Sequence, residues 1–228
     1  MKKILLSSLL ALIALATQAQ DHNILVTYFS WSNNTKALAE AIQQQTGADI
    51  YRIEPLVPYT SDYNELAYTI SNQEKADNAR PALKDTLATL NDYDIIFVGC
   101  PVWWFDAPMI IHSFLECKSY DFTGKTIIPF CTYYTAAYQT LEDIIEATPN
   151  SEHLTGLGVR GSSSYSVSTL SDWLERIGIA DIVAGIDVSH AESQASDAAY
   201  GINGLRYEKS DTMPRGIYII DGKKTLVK

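Results

Sequence analysis

The sequence contains little cysteine and little histidine. Its three cysteines, Cys100, Cys117 and Cys131, are odd in number and too few to form a disulfide scaffold. The four histidines are scattered singly, and neither residue type shows the spacing of a metal site. We therefore expect no metal centre. Cys100 and Cys131 would follow adjacent strands of the fold derived below, so they form either one disulfide or two buried free thiols.

Basic residues and long hydrophobic runs are also scarce. The chain has 17 Lys and Arg against 27 Asp and Glu, a formal net charge of −10. Such an acidic chain would not bind nucleic acid or an anionic membrane surface non-specifically, whereas it would attract a partner with a basic face. No stretch after the N terminus approaches the roughly 18 apolar residues of a membrane-spanning helix. We therefore expect no nucleic-acid partner and no membrane span.

The N terminus has the pattern of a secretory signal peptide. Met1-Lys2-Lys3 is positively charged, an apolar stretch follows, and Thr17-Gln18-Ala19 provides a small-residue cleavage site. We expect residues 1–19 to be removed and the protein to be exported, as a periplasmic or secreted protein. No cysteine follows Ala19, so a lipoprotein anchor is not expected. Loss of the two lysines would change the net charge from −10 to −12.

Small polar residues follow the first strand of the mature chain. Ile24–Phe29 has the length and composition of a buried strand, and a helical pattern begins about five residues later. The first turn of a helix has unpaired N–H donors and the positive end of the dipole, which favour an anion. The residues between strand and helix predict a phosphate-binding turn, with a simple N-cap cluster as the alternative: Ser30, Ser32, Asn33, Asn34 and Thr35.

Strands and helices alternate along the first 180 residues. This alternation predicts an α/β fold with a doubly wound, five-stranded parallel sheet, because right-handed crossovers leave few topologies. In such a sheet a ligand binds beyond the carboxyl ends of the strands, where the winding reverses. The five predicted strands are Ile24–Phe29, Asp49–Glu54, Asp94–Cys100, Lys125–Phe130 and His153–Val159.

Two further loops begin at this edge of the predicted sheet. The phosphate-binding turn is the first loop. The second loop, after Cys100, contains Pro101, Val102, Trp103 and Trp104, whose rings offer a stacking surface to a planar ligand. The alternative is a hydrophobic cluster beneath the loop or an interface patch. The third loop, after the fourth strand, has no glycine and contains Thr132, Tyr133, Tyr134 and Tyr138. These tyrosines could stack on a ring or occupy its place.

These segments resemble the flavodoxin family. FSWSNNTKALAE is similar to the T/S-x-T-G-N-T phosphate loop of that family, with Asn33 at its glycine position. Asn tolerates left-handed backbone better than other residues with a Cβ. The stretch from Pro101 to Trp104 is similar to a P-x-W-W segment that borders the flavin in one branch of the fold. The resemblance covers roughly Ile24 to Ile179 and implies strand order 2-1-3-4-5 with FMN as cofactor.

A glycine pattern later in the chain suggests a different cofactor. Gly156 to Gly161 fits G-x-G-x-x-G, and Asp181 follows 20 residues later, as in a dinucleotide site. The glycines fall within the predicted fifth strand, however, and no helix opens at Gly161. We therefore do not expect a nicotinamide site.

The composition changes after residue 180. Ser189–Tyr200 is typical of a polar linker, and Gly216–Ile220 and Lys224–Val227 flank Asp221-Gly222, which predicts a type I′ hairpin. The predicted organisation is a signal peptide (1–19), a flavodoxin-like domain (20–180) and a linker with a hairpin tail (181–228). The tail resembles part of the C-terminal sorting modules of exported Bacteroidetes proteins; the alternative is a hairpin docked on the main domain.

Two functions are consistent with this sequence. The resemblance implies an exported protein that binds FMN and transfers electrons to an unknown redox partner, as a carrier or a simple flavin-dependent reductase. No residue is an evident catalytic acid, base or nucleophile. The alternative is a binding module that keeps the fold and has lost the flavin.

Overall fold

The computed structural model describes residues 23–161 and 166–184, together with four strands nearer the C terminus at 198–201, 206–208, 216–220 and 223–227. The predicted signal peptide, most of the predicted linker and the Asp221-Gly222 turn lie outside the described residues. Among those described, no helix combines the length and the apolar character that a membrane span requires.

A parallel sheet forms the centre of the main domain. Its strand order is β2-β1-β3-β4-β5, with a sixth strand, β6, also paired to β4, which confirms the predicted topology. Continuous apolar runs form the central strands because both faces of the sheet are covered. The strands are β1 (Ile24–Tyr28), β2 (Asp49–Arg52), β3 (Ile95–Pro101), β4 (Thr126–Tyr133), β5 (Glu152–His153) and β6 (Leu157–Arg160).

Helices cover both faces of this sheet. On one face Leu38 and Ile42 pack with Trp173, and on the other Ile110 and Phe114 pack with the strands. Gly47 ends the first helix with φ of 67°, as its predicted C-cap role requires. The helices are α1 (Asn34–Thr46), α2 (Tyr63–Glu65), a π-helical turn (Leu66–Ile70), α3 (Ser71–Ala76), a 3₁₀ turn (Leu90–Asp92), α4 (Met109–Leu115), α5 (Thr140–Glu146) and α6 (Val167–Arg176).

The predicted fifth strand is divided in two. Leu154 N–H donates to the Ile127 carbonyl at 3.2 Å, and the next bond of this ladder would need an N–H group from Pro129. Proline has none, so pairing stops and resumes where Leu157 lies opposite Phe130. Between these two pairings, the β5–β6 segment contains one residue more than the matching segment of β4, as in a bulge. The prediction of one continuous strand was therefore wrong.

The fourth strand is longer than predicted. It continues past Phe130, because Cys131 and Thr132 pair with both β3 and β6 and Tyr133 pairs with β6. Thr132 and Tyr133 are therefore strand residues, and the loop begins at Tyr134. The sequence-based boundary failed because Thr and Tyr occur in strands as readily as in loops.

Cys100 and Cys131 are directly opposite each other on β3 and β4, and both are free thiols. Side chains at opposite positions of neighbouring parallel strands point the same way, so their Cβ atoms are separated by about the strand spacing of 4.8 Å. A disulfide requires a Cβ–Cβ distance of about 3.8 Å. These two positions therefore do not suit a disulfide, and the structure supports the alternative of two buried thiols.

Four antiparallel strands form a second sheet near the C terminus. They are β7 (Ala198–Gly201), β8 (Arg206–Glu208), β9 (Gly216–Ile220) and β10 (Lys223–Val227), in the order β10-β9-β7-β8. The pairing of β9 with β10 confirms the predicted hairpin strands. The sequence analysis missed β7 and β8, and it assigned most of β7 to the linker because Ala-Ala-Tyr-Gly shows little alternation.

Candidate functional site

The first turn of α1 is open to an anion. The Asn33 side chain makes no capping hydrogen bond, and the first turn contains no acidic residue. The first intrahelical bond runs from Ala37 N–H to the Asn33 carbonyl at 3.1 Å, so the preceding N–H groups have no acceptor within the helix. Asn33 has φ of 66° and ψ of 3°, the left-handed backbone expected at this position.

Three of the predicted phosphate-loop residues support this turn from outside the cavity. Ser30 is buried, and its carbonyl accepts a hydrogen bond from Arg52 Nη2 at 3.0 Å. Thr35 is also buried, and its hydroxyl lies 2.8 Å from that of Thr132. Asn33 provides the left-handed backbone. Ser32 and Asn34 are left to line the cavity with their side chains.

A cavity of about 840 Å³ lies at the carboxyl ends of β1, β3 and β4. The first, second and third predicted loops all contribute to its wall, at the position where the winding reverses. Ligand-binding clefts typically have volumes of about 300 to 1,000 Å³. Nine of the predicted site residues line it: Ser32, Asn34, Pro101, Val102, Trp103, Trp104, Thr132, Tyr133 and Tyr134.

The second loop is a tight hairpin made by aromatic residues. Trp103 and Asp106 exchange two backbone hydrogen bonds of 3.0 Å. The two residues between them, Trp104 and Phe105, have φ of 48° and 75°. Positive φ at both central positions is the signature of a type I′ turn, where glycine and asparagine are the usual residues. Two bulky residues held in this conformation indicate local strain of the kind found at binding sites.

Neighbouring elements hold this turn in place. Lys75 Nζ donates to the Trp104 carbonyl at 2.7 Å and forms an ion pair with Asp106 Oδ2 at 2.6 Å. Trp104 Nε1 donates to the carbonyl of Ala67, in the π-helical turn. Gln139 N–H donates to the Phe105 carbonyl at 3.0 Å. The turn is therefore fixed to the helical segment on one side and to the third loop on the other.

The two tryptophans have different surroundings. Trp103 packs edge-on against Phe29 and Tyr59, with ring centroids 5.3 and 5.2 Å away. Burial raises the pKa of Tyr59, so its hydroxyl stays protonated and donates to Glu74 Oε2 at 2.9 Å. Burial likewise raises the pKa of Glu74. Both tryptophans line the cavity, but Trp103 is fixed by these core contacts, whereas Trp104 is held by the π-helical turn.

One wall of the cavity is a chain of aromatic rings. Trp31 lies 6.3 Å from Tyr63, Tyr63 lies 6.4 Å from Tyr68, and Tyr68 lies 6.1 Å from Trp104, measured between ring centroids. Trp31 is held by a 2.8 Å hydrogen bond from its Nε1 to the Thr60 carbonyl. The sequence analysis identified only Trp104 of these four. Trp31 lies inside the predicted phosphate turn, but the Tyr63–Ser71 segment had no sequence signal for the site.

The third loop lines the cavity and does not fill it. Tyr134 is 83% exposed, and the Arg160 guanidinium lies 5.3 Å from the centre of its ring. On the other side Tyr138 packs edge-on against Phe105 at 4.8 Å. The two aromatic loops also contribute Phe105, Thr135, Ala136 and Tyr138 to the lining. Lining residues that the sequence analysis did not assign to the site are Trp31, Tyr63, Leu66, Ala67, Tyr68, Ser71, Arg160 and Gly161.

The lining contains few groups for acid–base or nucleophilic chemistry. Among the described residues that line the cavity, none is Cys, His, Asp, Glu or Lys. The nearby thiols are buried, and burial raises the pKa of Cys131 to about 12. No group of His, Cys, Asp and Glu in the described part of the chain could hold a metal ion. The arrangement therefore suits binding of an anionic, planar molecule rather than side-chain catalysis.

Known proteins similar to this chain share the fold. The sequence model of a family described as Flavodoxin matches residues 23–177. Candidate flavoproteins of Bacteroides eggerthii and Bacteroides uniformis are each 32% identical to this chain, with a TM-score of 0.61. The matches cover 68% of this chain and 98% and 99% of those structures.

A flavoprotein from Lactobacillus acidophilus, solved in complex with FMN, is 21% identical over 67% of this chain and 98% of its own, with a TM-score of 0.53. At this identity the likeness concerns the fold alone. A comparison with curated proteins gives no significant match.

Proposed function

Because the chain belongs to the flavodoxin family, we propose that its cavity binds FMN noncovalently and that the protein transfers electrons. One observation carries the proposal: a single cavity joins the open first turn of α1 to an aromatic wall. FMN has a phosphate at one end and a planar tricyclic ring at the other. The two ends of the molecule thus match the two parts of the cavity.

The phosphate end fits the helix terminus. The N–H groups of the first turn, the Ser32 hydroxyl and the Asn34 amide would donate to phosphate oxygens. Ser30, Asn33 and Thr35 would act by holding the turn, since Ser30 and Thr35 are buried and none of the three lines the cavity. This division of roles refines the sequence prediction, in which the five residues form a phosphate-binding turn.

The ring end fits the aromatic lining. Trp104 and Tyr133 or Tyr134 would contact the ring, and aromatic contacts contribute on the order of 1 kcal/mol each beyond burial. Trp103 would support Trp104 from the core side. The cofactor supplies the redox chemistry, and the protein binds it, orients it and limits its contact with water. The scarcity of acid–base groups among the described lining residues favours a carrier or a simple reductase.

The alternative is a binding module without flavin. The glycine-free third loop favours it, because the side chains of Tyr133, Tyr134 and Tyr138 could occupy the place of a ring. The cavity volume of about 840 Å³ that these side chains leave open supports the flavin instead.

Purified mature protein provides the test. We expect a yellow protein, or a colourless one that takes up added FMN at one equivalent and then shows flavin absorption bands. Reduction by a chemical donor and reoxidation by a protein acceptor would establish electron transfer. Colourless protein that takes up no FMN would favour the binding module.

We also propose that the protein is exported. This proposal depends on the pattern of residues 1–19, and the mass of the mature protein isolated from its host tests it. A mass that includes Met1 would contradict export by cleavage.

A further inference from the structure

Arg160 differs in charge from the other lining residues. Of the described residues that line the cavity, it is the single charged one. The chain as a whole carries a net charge of −10, so Arg160 is a local positive charge in an acidic protein. No acidic side chain in the described part of the chain forms an ion pair with Arg160. The acidic residue of the second loop, Asp106, is paired with Lys75 at 2.6 Å.

The backbone around Arg160 is fixed by the sheet. Arg160 is the last residue of β6 and lies opposite Tyr133 on β4. Gly161 N–H donates to the Tyr133 carbonyl at 3.0 Å, which extends the ladder by one bond beyond the strand. Gly161 itself has φ of 63°, so the chain turns away directly after Arg160. A long cationic side chain is therefore anchored at the edge of the cavity.

Tyr134 positions the guanidinium. Its ring centroid lies 5.3 Å from Arg160 Cζ, within the range of a cation–π contact. Such a contact orients the planar guanidinium without neutralising its charge, unlike a carboxylate partner. The glycine-free third loop thus supplies the aromatic residue that holds the positive charge at the cavity.

We propose that Arg160 favours the reduced, anionic form of a flavin ring bound in this cavity. The proposal rests on the proposed FMN binding. Uptake of two electrons and one proton leaves the ring with one negative charge, and a cation near the ring stabilises that form relative to the neutral oxidised form. A bound ring would also displace water from the cavity and strengthen the attraction. Arg160 thereby raises the reduction potential of the bound flavin.

The test compares four proteins: wild type, Arg160→Gln, Arg160→Lys and Arg176→Gln. Arg176 lies in the last turn of α6, is exposed and does not line the cavity, so its replacement removes the same charge elsewhere. For each protein, the affinity for oxidised FMN is measured by titration. The midpoint potential is measured by equilibration of the bound FMN with dithionite and a reference dye.

We expect Arg160→Gln to weaken the binding of reduced FMN about tenfold more than that of oxidised FMN, which lowers the potential by about 30 mV for a two-electron couple. Arg160→Lys should have a midpoint potential close to that of wild type, because the positive charge is kept. Arg176→Gln should have the same midpoint potential as wild type. The difference between wild type and Arg160→Gln should shrink as salt is added.

Two results would overturn the proposal. An unchanged potential in Arg160→Gln would exclude a role toward the ring, and an equal shift in Arg176→Gln would indicate a general charge effect. If wild type takes up no FMN, the proposed function fails as well; if it binds FMN and only the potential test fails, the proposed function stands.

Discussion

The hydroxyls of Thr35 and Thr132 lie 2.8 Å apart and join the first turn of α1 to the end of β4. Both side chains are buried, so an unpaired hydroxyl would be costly at either position. The bond connects the proposed phosphate end of the cavity to the strand that leads into the third loop. Two residues 97 positions apart in sequence thus hold the two ends of the site together.

Replacing either threonine should destabilise the protein by leaving the other hydroxyl unpaired. We expect Thr35→Val and Thr132→Val each to lower the free energy of unfolding by about 1 to 3 kcal/mol. The double variant should be less destabilised than the sum of the two, because no polar group is then left alone. Urea unfolding of the four proteins measures this coupling, and strictly additive losses would show that the bond contributes nothing.

Asn34 should contribute to the binding of the FMN phosphate, whereas Asp181 should not. Asn34→Ala removes a side-chain amide that lines the cavity, so we expect FMN affinity to fall about tenfold. Riboflavin, which lacks the phosphate, should bind wild type and this variant alike. Asp181→Asn is the control, since Asp181 is exposed and lies outside the cavity. Equal losses of FMN affinity at Asn34 and Asp181 would discredit the assignment of the phosphate turn.

At position 105, a glycine variant should be more stable than an alanine variant. Phe105 has φ of 75°, which costs a residue with a Cβ about 1 kcal/mol or more relative to glycine. We expect Phe105→Gly to be more stable than Phe105→Ala by about 1 kcal/mol, although glycine is ordinarily the less stable of the two. Both variants lose the contact with Tyr138, so their difference isolates the backbone. Thermal unfolding of the pair measures it, and an alanine variant of equal or greater stability would refute the strained turn.

The cysteines should differ in their reactivity toward iodoacetamide. Cys100 and Cys131 are buried free thiols, whereas Cys117 is partly exposed. In the native protein at pH 8 we expect label on Cys117 alone. In denaturant without reductant all three should be labelled, as mass spectrometry of the peptides can establish. Two unlabelled cysteines under denaturing conditions would instead indicate the Cys100–Cys131 disulfide.

The buried thiols also predict sensitivity to alkali. Burial raises the pKa of Cys131 from its ordinary value of 9.0 to about 12, and it raises that of Cys100 as well. The unfolded chain therefore loses these protons first, so stability is full below about pH 9 and falls as the pH rises toward 12. Each thiol should contribute a slope of up to about 1.4 kcal/mol per pH unit. Urea unfolding of Cys131→Ala between pH 8 and 11 should give a shallower slope than wild type; equal slopes would contradict this origin.

The sequence predicted the parts of the fold that depend on continuous patterns. The apolar runs at Ile24–Tyr28 and Ile95–Pro101 identified central strands, and the change from strand to helix at Asn34 identified the open helix terminus. Connection rules left few topologies, and the resemblance to the flavodoxin family implied the order 2-1-3-4-5, which the structure confirms. These inferences succeeded because they rest on local periodicity and backbone chemistry.

Long-range and exceptional features could not be predicted in this way. The Thr35–Thr132 bond depends on the final register of β4, and the Trp104-Phe105 turn places bulky residues where the rules expect glycine or asparagine. Arg160 lay within a glycine pattern that was considered for another cofactor. Its position at the cavity becomes visible only when β6 is paired with β4.

Calorimetric titration of the mature protein with FMN tests the central claim most directly. We expect one FMN per chain, quenching of flavin fluorescence by the aromatic wall, and weaker binding of riboflavin because the first turn of α1 then has no phosphate to bind. Absence of binding heat together with unquenched flavin fluorescence, from protein whose circular dichroism shows it folded, would contradict the account.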